Sequence, residues 1–485
     1  MKPAKLSEHK FKKGKFISPW NDMDFNFTSN PWFKNRFPEY LWIGLILQKH
    51  GREEGLRICG LINQFLKEYK LQTLCFSEIL CIENKKQDKI WEKIIELAGN
   101  DVLSPITIFI TFSNYPSFAS HFSNALQSPE DRLNKIGQAL KEASDHQSYF
   151  STDIRFVVMQ FLLVNDRLRF VEGTEIMLDA LLRYPMLSHE SEDMHMIRPM
   201  IRSAELSINE EDEEHKRYIN KFWEAVSVMT DCKVFTIQYD TNVVDADIYL
   251  EKIKNIMTYY SDIFVSAHPL DSRMLVLLGI TTYSYKRVLE LVNCNLFNEI
   301  SGRSIVRVLI ENYIMMKYLI KHETEHDDIW NEYQYYGIGQ YKLIVKRFED
   351  FPTGLEASHV DYKYLGLLIN EFTNEDFIDM DTNYFDNQRV REKAIDIGEK
   401  ELFGLYYDYD SAFEHGLWGA IRESSLLKCD ASGHQYHCVP DVDNVQKLKS
   451  VWHDAKMMMT KTLLVLKDEY GLPEQYDLIK EDENE

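Results

Sequence analysis

Through most of the chain apolar residues return every three or four positions, the spacing that places them on one face of an α-helix. The first run is RFPEYLWIGLILQKH, where Pro38 suits a first helical turn with Glu39 beside it; Gly51 is placed to end that helix before REEGLRICGLINQFLKEY restarts the pattern. Helices are then predicted over 76–83, 87–98, 116–126, 129–144, 152–163, 173–183 and 193–206. SPEDRLNKIGQALKEA shows why: Ser128 stands as N-cap, acidic residues fill the first turn, and apolar positions follow at helical spacing. No fixed period marks a named repeat, yet successive helices would stack in pairs, so a solenoid-like first half is expected.

The spacing fails at CKVFTIQYDTNVVDAD (232–247), which mixes β-branched residues with turn formers. It resumes in helices predicted over 246–261, 269–295, 300–323, 325–350, 358–371, 388–400, 401–427 and 443–470. The fold class is therefore all-α with two helical domains. An N-terminal helical array covers 36–235 and a C-terminal helical bundle covers 245–470. An extended arm (1–35) precedes them, with Trp20, Phe25, Phe27 and Trp32 expected to pack it onto the body, and a disordered tail (471–485) follows. NEEDEEHKR (209–217) reads as a solvated helix start, and 372–387 as an acidic loop.

Composition narrows the function classes. Lys and Arg number 55 against 77 Asp and Glu, a net charge of −22, which repels phosphate and disfavours bulk binding to nucleic acid or an anionic membrane. The one tight basic run, KFKKGK (10–15), reads as a solvated terminus. No apolar run approaches the length of a membrane span, and the first twenty residues lack the apolar core of a signal peptide. The seven cysteines are few, odd in number and mostly set in apolar segments, as expected of reduced thiols in a cytoplasmic protein.

Three constellations carry candidate chemistry. In GRSIVRVLIENYIMMKYLIKHE (302–323), Arg303, Arg307 and Glu311 fall at successive steps of four, so they share one face of an otherwise apolar helix. Buried charges need partners, so these residues form either a lock on helix register or a polar pocket. YYDYDSAFEHGLWGAIRESS (406–425) puts Tyr407, Ser411 and His415 at the same spacing, with His415 a candidate acid, base or ligand. In CDASGHQYHCVPD (429–441), Cys429, His434 and His437 are candidate metal ligands, and zinc is the ion such a set suits. At most three residues of that loop reach one ion unaided, because His437 and Cys438 are adjacent. RYPMLSH (183–189) has an Arg and a His six apart, but Pro185 breaks the helix such a pair needs. No Walker A loop, dinucleotide fingerprint, HExxH or GxSxG is present.

GRSIVRVLIENYIMMKYL, YYDYDSAFEHGLW and the C-x4-H-x2-H-x2-P of 429–440 together resemble a bacterial helical family known only as a domain of unknown function, over roughly residues 245–470. RFPEYLWIGLIL resembles the leader that accompanies this domain in some bacterial proteins. The resemblance implies a helical fold, an association with abortive-infection and mobile-element genes, and a loose likeness to HEPN nucleases. It points to Arg303, Glu311, Tyr409, Ser411, His415, Cys429, His434 and His437 and supplies no mechanism. The leading expectation is a bacterial stress or phage-defence effector whose C-terminal pocket cleaves RNA, with His415 as acid and base and Arg307 stabilising phosphate charge. The alternative is a non-catalytic scaffold or sensor whose N-terminal array binds a protein partner. Homo-oligomerisation through the C-terminal bundle fits either reading.

Overall fold

The computed structural model describes residues 10–17, 31–110, 114–168, 175–206, 208, 213–240, 243–266, 271–350, 358–370 and 388–476. Trp20, Phe25, Phe27, the 372–387 segment and the end of the expected tail lie outside them. The described residues are predominantly helical, with five short strands. They divide into two compact units. The first is Met1–Phe235 with Lys428–Val439, and the second is Thr236–Leu427 with Pro440–Glu485.

In the first unit the helices are α1 (Phe37–Leu66), α2 (Phe76–Cys81), α3 (Asn84–Ala98), α4 (Pro116–Phe122), α5 (Pro129–Ser144), α6 (Tyr149–Val164), α7 (Glu175–Arg183), α8 (Met194–Leu206) and α9 (Glu213–Met229). The Ser128 hydroxyl accepts the Asp131 amide at 3.1 Å to start α5, and Ser148 does the same for α6 through Ser151. Gly51, at φ 74°, breaks the helical path inside α1, and the helix resumes at once. The expected solenoid does not form. A solenoid element touches only its neighbours in sequence, whereas α1 packs against α6, α3, α5 and α9 at once. The reason is its burial: the first turns of α1, residues 37–47, and residues 151–159 of α6 are buried on every face, so each needs cover on all sides. The arm's Trp32 is buried, its indole donating to Ser151 Oγ at 3.1 Å.

The second unit holds α10 (Ala246–Ser266), α11 (Ser272–Asn293), α12 (Ile300–His322), α13 (Ile329–Asp350), α14 (Tyr362–Asn370), α15 (Val390–Asp396), α16 (Lys400–Leu402), α17 (Asp408–Glu414), α18 (Trp418–Ser424) and α19 (Trp452–Tyr470). Central α12 packs on α11, α15, α17 and α19, with Ile305, Leu309, Ile310, Ile314 and Leu319 in the core. Gly302 lets α12 start there, since a Cβ would run into the Leu296 carbonyl and stand 3.0 Å from Val451 Cγ2. Gly302→Ala is expected to cost about 1–3 kcal/mol by overpacking, read as a lower urea midpoint; an unchanged midpoint would mean the 296–297 turn yields freely.

The single helix predicted over 401–427 is instead broken. A π turn (Phe403–Tyr407) runs into α17, Gly416 turns left-handed at φ 56°, and α18 follows. The helix predicted from 443 begins only at Trp452. Strands β1 (Lys10–Lys12) and β2 (Lys15–Ile17) pair as a hairpin. The three others, β3 (Val234–Phe235), β4 (Leu426–Cys429) and β5 (Cys438–Pro440), form a sheet in the order β3-β4-β5, with Val234 opposite Cys429 and Phe235 opposite Lys428.

Candidate functional site

The polar face of α12 forms a network within the second unit. Arg307 Nη2 donates to Glu311 Oε1 at 3.0 Å, one helical turn away, and to the Tyr407 hydroxyl at 2.8 Å. That hydroxyl donates in turn to the same Glu311 oxygen at 2.7 Å, closing a triangle. The guanidinium also lies over the Tyr407 ring, 4.9 Å from its centre. Burial, together with the bond to Glu311, pushes the Tyr407 hydroxyl up to about 12, so it keeps the proton it donates. The triangle is half-buried.

Arg303 sits one turn earlier and is fully buried. Its guanidinium donates to the carbonyls of Phe297 (3.3 Å), Glu299 (3.2 Å) and Lys449. It thereby ties the start of α12 to the segment leading into α19. Beside it stands Asp410 of α17, only 4% exposed. Burial pushes the Asp410 carboxyl up to about 7, the neighbouring Asp454 adds to the rise, and Arg303 and Arg307 pull it back. Tyr409 donates to Glu423 at 2.8 Å, and Ser304 to Glu414.

The two residues proposed to join Arg307 do not. Ser411 is half-buried and makes no side-chain hydrogen bond among the described residues, and His415 is exposed at the C-terminal end of α17. Residues 407–415 keep helical spacing, with Tyr407 and His415 capping α17, but the buried face steps through Tyr407, Asp410 and Phe413, which leaves Ser411 at its edge and His415 in solvent. Sequence reasoning missed Asp410; its signal was the three-residue step from Tyr407. The Arg183 and His189 pair is likewise separated: Arg183 meets Asp179 and Asp193, while His189 contacts Asp153 Oδ2 at 3.1 Å.

The third constellation gathers inside the first unit. Cys429, His434 and His437 are joined there by Cys232, which follows α9, and one ligand atom from each lies within 4.8 Å of all the others. Cys232 Sγ is 3.3 Å from His437 Nε2, across 205 residues of sequence, and Cys429 Sγ is 3.6 Å from His434 Nδ1. Burial alone would raise the Cys429 thiol, but the Ala431 amide, His434 and Cys232 outweigh it and hold the thiol below its ordinary range. The sequence offered Cys232 only as the first residue of the stretch where helical spacing fails. The other trio among the described residues, Glu39, Cys75 and His215, is wholly buried, with His215 Nδ1 already 3.1 Å from Glu39 Oε1.

Residues 277–435 match the model of a family of unknown function, DUF5677. The match takes in the Arg307 network, Ser411, His415, Cys429 and His434, and leaves out Cys232 and His437. No curated protein and no solved structure matches the chain. Among the described residues no helix is long and apolar enough to cross a membrane.

Proposed function

We propose that this protein is a non-catalytic helical binding protein, with the C-terminal polar network acting as a structural lock and the N-terminal unit receiving a protein partner. The observation that carries this is the closure of the Arg307 triangle. Arg307 is neutralised by Glu311 and hydrogen-bonded to the neutral Tyr407 hydroxyl, and the histidine an RNA-cleaving site would need is exposed at a helix end. A phosphate-binding cation already satisfied by its own helix has little charge left for substrate. The acidic balance of the chain favours the same reading. In the N-terminal unit, a cleft of ≈ 500 Å³ lined by Phe109, Ile110, Tyr115, Tyr218, Val228 and Met229 offers a seat for an apolar anchor of a protein segment.

A defence effector that cleaves RNA is the second reading. The observation in its favour is that the buried Arg303 Nε and Arg307 Nε lack hydrogen-bond partners, as donors awaiting an anion would. An RNA-integrity assay separates the two, using wild type, Arg307→Met and His415→Ala, each with and without EDTA and each checked by circular dichroism. Intact RNA in every lane is expected. Cleavage by wild type that both folded variants lose would make the network a nuclease site. A structural lock also predicts that Glu311→Ala lowers stability by about 1–2 kcal/mol, since it strands a half-buried guanidinium; a neutral or stabilising Glu311→Ala would count against it.

A further inference from the structure

We propose that Cys232, Cys429, His434 and His437 bind a single zinc ion in a closed, structural site of the first unit. The donor set is two thiols and two imidazoles, the combination zinc takes in tetrahedral structural sites. With Zn–S near 2.3 Å and Zn–N near 2.0 Å, a tetrahedron sets its ligand atoms roughly 3.3–3.8 Å apart. Two of the four sulfur–nitrogen separations, 3.3 and 3.6 Å, fall in that range, and all four ligand atoms lie within 4.8 Å of one another.

The surroundings are arranged as a metal site needs. His434 Nε2 faces the Ser227 carbonyl at 3.0 Å. A carbonyl only accepts, so Nε2 carries the proton and Nδ1 turns its lone pair toward the cysteines. Fixing a ligand imidazole through its far nitrogen is the usual outer-shell device of zinc sites. Cys429 Sγ accepts the Ala431 amide at 3.4 Å, a bond that stabilises a thiolate. Gly433 sits against Thr230, so close that a Cβ would strike Oγ1, which seats the hairpin on the end of α9. Gln435 and Tyr436 both adopt left-handed φ, 52° and 53°, which brings the two histidine rings to 4.6 Å. Consecutive left-handed non-glycine residues persist only where their surroundings enforce them.

Binding replaces the two thiol protons, which leave to solvent, so two thiolates neutralise the dication. All four positions are filled by protein, which leaves no place for water or substrate and makes the ion a staple rather than a reaction centre. What it staples is the Lys428–Val439 hairpin, which lies with the first unit although it is separated in sequence by the whole run 236–427. The site is separate from the Arg307 network, so neither proposal depends on the other.

The test uses the full chain purified under reducing conditions, with metal content measured for wild type, Cys232→Ser, His434→Ala and Cys438→Ser. Cys438 neighbours a ligand but belongs to no cluster, so it serves as the control. One zinc per chain is expected in wild type and in Cys438→Ser, with the stoichiometry lost in the other two. Cobalt exchanged into wild type should give the visible bands of a tetrahedral site with thiolate ligands, a readout that needs no variant to fold. The proposal falls if wild type takes up neither metal, or if Cys232→Ser keeps its zinc and its cobalt spectrum unchanged. It also falls if Cys232 and Cys429 are found joined as a disulfide, with the mass lowered by both thiol hydrogens.

Discussion

Replacing Glu205 with alanine is expected to cost about 3–5 kcal/mol, because it strands two buried guanidinium groups. Glu205 of α8 is 1% exposed and pairs with Arg36 at the entrance to α1 and with Arg155 of α6, 3.2 Å away. Both arginines are as buried as their partner. Arg155 lies 4.1 Å from the centre of the Trp32 ring and donates to the His146 carbonyl at 2.9 Å, contacts that hold it in place whether or not Glu205 is present. Burial brings the Arg155 guanidinium down to about 9 even though Glu205 opposes the fall, and Arg36 and Arg202 add to it. Without Glu205 the first unit therefore keeps two like charges in a dry interior. The measurement is urea unfolding, with a lower midpoint at unchanged slope expected. Glu205→Gln should lose nearly as much, because it keeps the shape and removes the charge. Replacing all three residues with apolar ones of similar volume should recover most of the loss, because it removes the desolvation cost along with the attraction. A Glu205→Ala protein as stable as wild type would show that water reaches these arginines.

Asp410→Asn is expected to stabilise the second unit at pH 8, by on the order of a few kcal/mol, and to be neutral near pH 4. The folded carboxyl titrates near 7, above its ordinary value of 3.8. Between those two values the folded chain binds a proton that the unfolded chain has released. Stability therefore falls as pH rises from about 4 through about 7, and stays reduced above. The charges around the carboxyl are Arg303 and Arg307 on α12 and Asp454 on α19, whose own carboxyl burial also raises. Asparagine has the shape of the neutral acid and cannot ionise, so the variant should lack this part of the pH dependence. Melting temperatures of both proteins at pH 4 and pH 8 check it. If wild type and variant keep the same difference at both values, Asp410 is ionised throughout and its pairing with Arg303 outweighs its burial.

The loss that Asp410 carries has no counterpart in the local pattern, and that is a guide to what could be read from residues alone. Arg307 and Glu311 were legible as a pair because a helix fixes neighbours four residues apart. Extending the same rule to Tyr407, Ser411 and His415 succeeded for Tyr407 and failed for the rest, because the buried face of α17 runs through Asp410 and Phe413 and the helix ends at His415. Cys429, His434 and His437 were legible as a ligand-rich loop for the same local reason.

By itself, then, the sequence determined what depends on a few neighbouring positions: the helical class, Ser128 as the cap of α5, the break near 232, and the i, i+4 face of α12. Only the tertiary structure decided which distant groups meet. It brought Cys232 to a loop some two hundred residues further on, set Glu205 between Arg36 and Arg155, buried Asp410 within the field of Arg303, and returned 428–439 to the first unit. The physical reason is that helical periodicity is a property of backbone geometry over one or two turns. Partnership across hundreds of residues is chosen by how apolar faces pack, and a lone Cys, Glu or Asp carries no mark of the partner that packing will give it.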